Sequence, residues 1–167
     1  MPVIFNAIKP KNFNDKAIRN ALESKADRVS KLIEKDFLEG VRTWEHKVSF
    51  DTEVIINPNG GVSIAVDTDD EIYTFVHEGT RPHKIEPKTP GGKLRFQGTY
   101  TAKTVPGVIK SKSGGPSGEF TYRNFVNHPG TKGRQFAKVI FKKWRPFFER
   151  EMQRALNEGA KNTGHSI

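Results

Sequence analysis

The chain contains no cysteine. Disulfide scaffolds, thiolate zinc sites and cysteine nucleophiles are thereby excluded. No apolar run exceeds three or four residues, against the roughly 18 needed for a membrane-spanning helix. The apolar share is only 34%, with two methionines and two tryptophans, so a modest core is expected, built largely from the twelve phenylalanines. Met1-Pro2-Val3-Ile4-Phe5-Asn6 has neither a basic leader nor a long apolar stretch, and no secretory signal is expected there. A Gly-x-Ser-x-Gly elbow and the dinucleotide and Walker phosphate loops are also missing. Gly114-Gly115-Pro116-Ser117-Gly118 has no clear strand before it or helix after it, and reads as linker.

Charge is plentiful and unevenly placed. The net value is +9 over 167 residues, a length that favours one domain. Residues 1–44 carry +3, residues 45–78 carry −7, residues 79–134 carry +9 and residues 135–167 carry +4. An acidic block beside a basic block implies a polar surface built for a complementary neighbour. That neighbour is nucleic acid, another protein or another copy of the chain.

Apolar periodicity predicts a long helix over 14–39, with Ile18, Ala21, Leu22, Val29, Leu32, Ile33 and Phe37 on one stripe. Asn14 is a good N-cap, Asp15 suits the first turn and Gly40 is the expected terminator. Strand patterns at 48–50, 53–56 and 62–66 flank the turn chemistry of Asn57-Pro58-Asn59-Gly60-Gly61 and predict a β-hairpin. Residues 72–76 read as a helical turn or a strand. Short extended pieces follow at 83–86 and 93–97, with a strand at 121–126. A second helix is expected from about Lys132 to Glu158, its stripe running from Phe136 through Ile140, Trp144, Phe147, Phe148 and Met152 to Leu156. Pro146 should kink or split it. Residues 159–167 are expected to be a disordered tail.

Between Gln97 and Tyr122, Ser, Thr, Gly and Pro supply 14 of 26 residues, a composition that predicts a mobile loop. Tyr100–Val105 and Val108-Ile109 around Pro106-Gly107 also suit a hairpin arm that orders on assembly. The loop is the favoured of the two. The fold expected is α+β: one domain over 1–158, with a long N-terminal helix and a C-terminal helix packed on a mainly antiparallel sheet, and a flexible arm or loop at 98–120.

His77, Glu78, His83 and His128 are the residues from which a metal site could be drawn, but the six-residue step from His77 to His83 through a proline turn is no recognised ligand spacing. Bracing of tight turns by hydrogen bonds to backbone carbonyls is the expected role. Arg81, Lys84, Lys88, Lys93, Arg95, Lys103, Lys110, Lys112 and Arg123, interleaved with Phe96, Tyr100, Phe120 and Tyr122, form a basic and aromatic segment. Such a segment can neutralise phosphates and stack on bases, although no helix-turn-helix, RNP-like or zinc-finger pattern accompanies it.

Val76-His77-Glu78-Gly79-Thr80-Arg81-Pro82-His83-Lys84-Ile85, then Lys93-Leu94-Arg95-Phe96, then Val126-Asn127-His128-Pro129-Gly130-Thr131 with Phe136 beyond, resembles a family of small tail-component proteins of long-tailed double-stranded-DNA phages and prophages. Members are described as neck or tail-completion proteins at the head–tail junction. The match covers roughly residues 72–140. Arg42-Thr43-Trp44-Glu45 departs from the P-x-x-T-G segment of many members.

The resemblance implies a structural virion protein with no enzymatic activity and no cofactor. It would complete the tail and join it to the head, in contact with head-closure and tail-terminator proteins. It would work in a ring, sixfold by expectation, and could be monomeric in isolation. DNA would at most pass through the channel. The expected location is the virion neck, after assembly in the bacterial host cytoplasm. Gly79, Thr80, Arg81, Pro82, His83, His128, Pro129, Gly130, Thr131 and Phe136 are then structural turn residues, with Gly79 at positive φ, Pro82 holding Arg81 extended and Pro129-Gly130 in a type II turn. Arg81, Lys84, Lys103, Lys110 and Lys112 are the candidate partner contacts. The alternative is a small basic nucleic-acid-binding protein or a histidine-dependent nuclease.

Overall fold

A computed structural model describes residues 16–58 and 60–162. In chain order the elements are α1 (Lys16–Val41), β1 (Asp51–Ile56), β2 (Val62–Asp67), α2 (Glu71–Glu78), β3 (Gly79–Thr80), β4 (His83–Ile85), β5 (Leu94–Thr101), β6 (Gly115–Arg123), β7 (Val126–His128), β8 (Thr131–Lys132) and α3 (Phe136–Asn162). The fold is α+β, with long helices near both ends of the chain. Among the described residues all strand pairings are antiparallel. They form four separate two-stranded ladders, β1–β2, β3–β8, β4–β7 and β5–β6, rather than one continuous sheet.

Contacts divide the described residues into two compact units, where the sequence leads one to expect one domain over 1–158. Of the described residues the first unit takes 16–38, 49–58, 60–69 and 137–162, the second 39–48 and 70–136.

In the first unit the stripe of α1 buries Ile18, Leu22, Ala26, Val29, Ile33 and Phe37. β2 contributes Val62, Ile64 and Val66, and α3 contributes Ile140, Phe148, Met152 and Ala155. The Phe37 and Phe50 rings lie 5.2 Å apart. Asp36 ties the two long helices together, accepting from Lys143 Nζ and from Trp144 Nε1 at 2.6 Å each. The hairpin is in the predicted place. Its turn is closed by Asn57 N–H to the Gly61 carbonyl and Gly60 N–H to the Asn57 carbonyl, both 2.8 Å.

Several expectations are corrected. Gly40 does not end α1, which continues to Val41; Gly40 is instead a buried small residue against the Phe136 ring. Pro146 does not split α3, which is continuous; the proline side is exposed, where water can satisfy the carbonyl that loses its N–H partner. Helix also continues past Gly159, through residues placed in the expected disordered tail. Gly159 sits against Ile18, and Ala160 is buried, so a small residue was needed there for close packing rather than for termination. Asn14, Asp15 and residues 163–167 lie outside the described residues. Residues 48–50 precede β1 and are not part of it, and the strand expected at 121–126 is divided between β6 and β7.

At 98–120 the less favoured of the two expected readings, the hairpin, is the one found. Instead of a loop, the structure has a long antiparallel ribbon in which Leu94 faces Arg123 and Thr101 faces Gly115, with one bulge between Gln97 and Thr99. Beyond it Thr104 pairs with Ser111, and Val108 N–H closes the expected Pro106-Gly107 turn onto the Val105 carbonyl at 3.3 Å.

Candidate functional site

The site is built in the second unit, around the short helix α2. Asp70 caps its start, accepting from Tyr73 N–H at 2.6 Å, and its other carboxylate oxygen lies 3.1 Å from His46 Nε2. A helix end leaves carbonyls without partners. Here they are met by the two motif turns: Gly79 N–H reaches the Phe75 carbonyl, Arg134 N–H the Val76 carbonyl at 2.9 Å and Gln135 N–H the His77 carbonyl at 3.0 Å. Residues far apart in sequence therefore cap one helix together.

The turns themselves interlock. Gly79 faces Lys132, Thr80 faces Thr131 and His83 faces His128. The Thr80 hydroxyl accepts the Thr131 N–H at 3.1 Å and lies 3.0 Å from the Thr131 hydroxyl. Gly79 and Gly130 adopt φ of 88° and 84°, a region costly for other residues. A Cβ at Gly79 would collide with the Thr131 carbonyl oxygen, and one at Gly130 with the Thr80 carbonyl oxygen. The glycines are needed because the two backbones touch.

The histidines at the two turns each bond within their own turn, and of the two only His83 meets a backbone carbonyl as expected. His83 Nδ1 donates to the Arg81 carbonyl at 2.8 Å, while His128 Nδ1 accepts the Gly130 N–H at 3.1 Å. Their rings lie 5.1 Å apart. His77 stands in a different setting, stacked on Tyr73 at 5.8 Å and near Phe136 at 6.3 Å, with Nδ1 buried and unbonded. Burial pushes its imidazole below the ordinary histidine range, opposed by the nearby Glu78. Burial likewise pushes the Tyr73 phenol up. Among the described residues no group of three or more His, Asp or Glu side chains is placed to hold a metal ion. Phe136, buried and stacked on Tyr73 at 5.5 Å, is a core residue.

The candidate partner contacts separate. Lys84 pairs with Glu86 at 2.6 Å and lies over the Phe125 ring at 4.7 Å. Lys103 pairs with Glu45 at 2.9 Å, and the ammonium holds that carboxyl below its usual range. Arg81, Lys110 and Lys112 project as exposed side chains. The ribbon is anchored rather than free: Ser111 Oγ donates to the Glu39 carbonyl, Thr43 Oγ1 to the Lys112 carbonyl and Arg134 Nε to Thr104 Oγ1, at 2.9 to 3.2 Å. Outside these anchors it exposes Phe96, Tyr100, Phe120 and Tyr122, with the Arg95 guanidinium 3.8 Å from the Phe120 ring centroid.

One feature of the site had no sequence signal. A pocket of about 370 Å³ has Trp44, Ile72, Val76, Tyr100 and Pro116 as its apolar lining, and Lys103, Lys132 and Arg134 as its cations. These residues come from five separate stretches between positions 44 and 134, so no local motif could announce it. Among the described residues no helix is long and apolar enough to cross a membrane. Compared with known proteins, the chain matches no family model and, at a significant level, no curated protein and no solved structure.

Proposed function

We propose that the chain is a structural protein of the phage neck, which completes the tail and joins it to the head as one member of a ring. The observation that carries this reading is the interlocking of the two motif turns. Gly79-Thr80 and Thr131-Lys132, from the segments on which the family resemblance rests, pair with each other, and Gly79 together with Arg134 and Gln135 just beyond them caps α2. Their residue types are accounted for by backbone proximity, hydroxyl pairing and turn bracing, so the motifs serve shape and leave no side chain committed to chemistry. Such a bracket suits a part that must hold its surface rigid while neighbours assemble on it. Its partners would be head-closure and tail-terminator proteins, contacted through the basic, aromatic ribbon, and its location the virion neck. Gold-labelled antibody against the chain should decorate purified particles at the junction of head and tail; label confined to unassembled protein would refute the reading.

The second reading, a small nucleic-acid-binding protein, is favoured by one observation: Tyr100, Phe120 and Tyr122 are more than half exposed beside Arg95 and Arg123. Exposed rings and cations of this kind can stack on bases and neutralise phosphates. Binding of that type weakens steeply with salt, so titration with labelled duplex and single-stranded DNA from 50 to about 200 mM salt separates the two. A neck component should retain little affinity at the upper value.

A further inference from the structure

We propose that the pocket of the second unit receives the outward face of β1 from another copy of this chain, held by opposite charge around an apolar contact. The pocket is unbalanced as it stands. Lys103 is satisfied by Glu45, but among the described residues neither Lys132 nor the terminal nitrogens of Arg134 meets a carboxylate; Arg134 spends only Nε, on Thr104. Beside these cations Trp44 and Ile72 form an apolar wall, and Ile72 is half exposed. The pocket therefore calls for an occupant with a carboxylate set close to an apolar side chain.

The chain carries such a surface. Asp51, Glu53 and Ile55 alternate with half-buried residues along β1 and point outward together. In the ladder Asp51 stands directly opposite the exposed Asp67, and like charges placed so are destabilising. A cation from outside would relieve that repulsion. Among the described residues β1 belongs to a ladder of two strands, and no other described strand pairs with its second edge. The two surfaces differ in kind, one a basic pocket and the other an acidic strand. A contact between them is heterologous and repeats head to tail, giving a ring where the rotation between copies closes. The inference rests on the reading that the chain assembles with copies of itself, and it names the contact.

The test uses the full-length chain in sedimentation velocity over a range of concentrations at low salt. Wild type should associate in a concentration- and salt-dependent way. Lys132→Glu in the pocket and Asp51→Lys with Glu53→Lys on the strand should each weaken association at least about tenfold. Mixed in equal amounts, the two variants retain one intact pocket and one intact strand between them, so a two-chain complex should form and grow no further. The strand variant changes only exposed side chains and removes a like-charge pair, so it decides the matter even if Lys132→Glu folds poorly by circular dichroism. Variants that associate as wild type does, a wild type that stays monomeric throughout, or association seen only with added duplex DNA would each overturn the contact. None of these results bears on gold labelling of the neck, which tests the function independently.

Discussion

Gly130→Ala tests whether the two motif turns are held by direct backbone contact. Gly130 has φ of 84°, and an alanine there carries a left-handed penalty of about 1–2 kcal/mol. The added Cβ would also fall onto the Thr80 carbonyl oxygen, and within 2.9 Å of the Arg81 carbonyl carbon and 3.0 Å of the Pro82 nitrogen. All three are backbone atoms and cannot swing away. Relief requires the turns to part, which sacrifices the Thr131 N–H bond to Thr80 and the hydroxyl pairing beside it, about 0.5–1.5 kcal/mol each. The expected total is roughly 2–5 kcal/mol. Gly107→Ala is the matched control. Its φ is 76° and no atom lies within 4 Å of its Cβ position, so it should lose only the conformational penalty. Urea denaturation by circular dichroism gives both values, and hydrogen exchange at the Thr131 amide reports the bond itself. Equal losses in the two variants, with Thr131 protection unchanged in Gly130→Ala, would refute the reasoning.

Deleting residues 100–118 and bridging with a short glycine linker should destabilise the second unit by roughly 2–6 kcal/mol, since several anchoring hydrogen bonds at about 0.5–1.5 kcal/mol each are lost; an unchanged urea midpoint would mean the ribbon is dispensable. The pH dependence of stability should carry the mark of His77. Its folded-state pKa is depressed, so its contribution is present above the unfolded value of about 6.5 and is lost as pH falls. Urea midpoints measured from pH 7 to 5 should drop for wild type and drop less for His77→Gln; identical slopes would contradict the buried, neutral imidazole. His128→Ala should cost about 1 kcal/mol through the orphaned Gly130 N–H, and exposed His83→Ala less. Stoichiometric tight zinc binding in calorimetry, abolished by either substitution, would instead make the pair metal ligands.

The elements most legible in the sequence were those whose burial is periodic. The stripe from Ile18 to Phe37 and the alternation of Val62, Ile64 and Val66 each bury one face, which is what apolar spacing encodes. The ribbon was only the less favoured reading because almost none of its side chains is buried on either face, so no alternation marks it, and its glycines and prolines imitate a linker. Gly40 and Gly159 misled for a related reason: glycine permits a helix to end, but it also permits two segments to approach closely, and the sequence does not say which. Gly79–His83 and His128–Lys132 share glycine, threonine, proline, histidine and a basic residue, and the structure pairs them, Thr80 on Thr131 and His83 on His128. The donor and acceptor roles of the two histidines were not visible, because they depend on which backbone group each ring meets. Nor could the pocket be read, since Trp44, Tyr100 and Arg134 meet only in three dimensions.

The central proposal, that this chain joins tails to heads, is tested most directly by imaging particles produced without it. Negative-stain micrographs of a lysate in which only this chain is removed should show separate full heads and free tails, and supplying the chain in trans should restore joined particles. Complete, infectious particles formed without it would contradict the proposal.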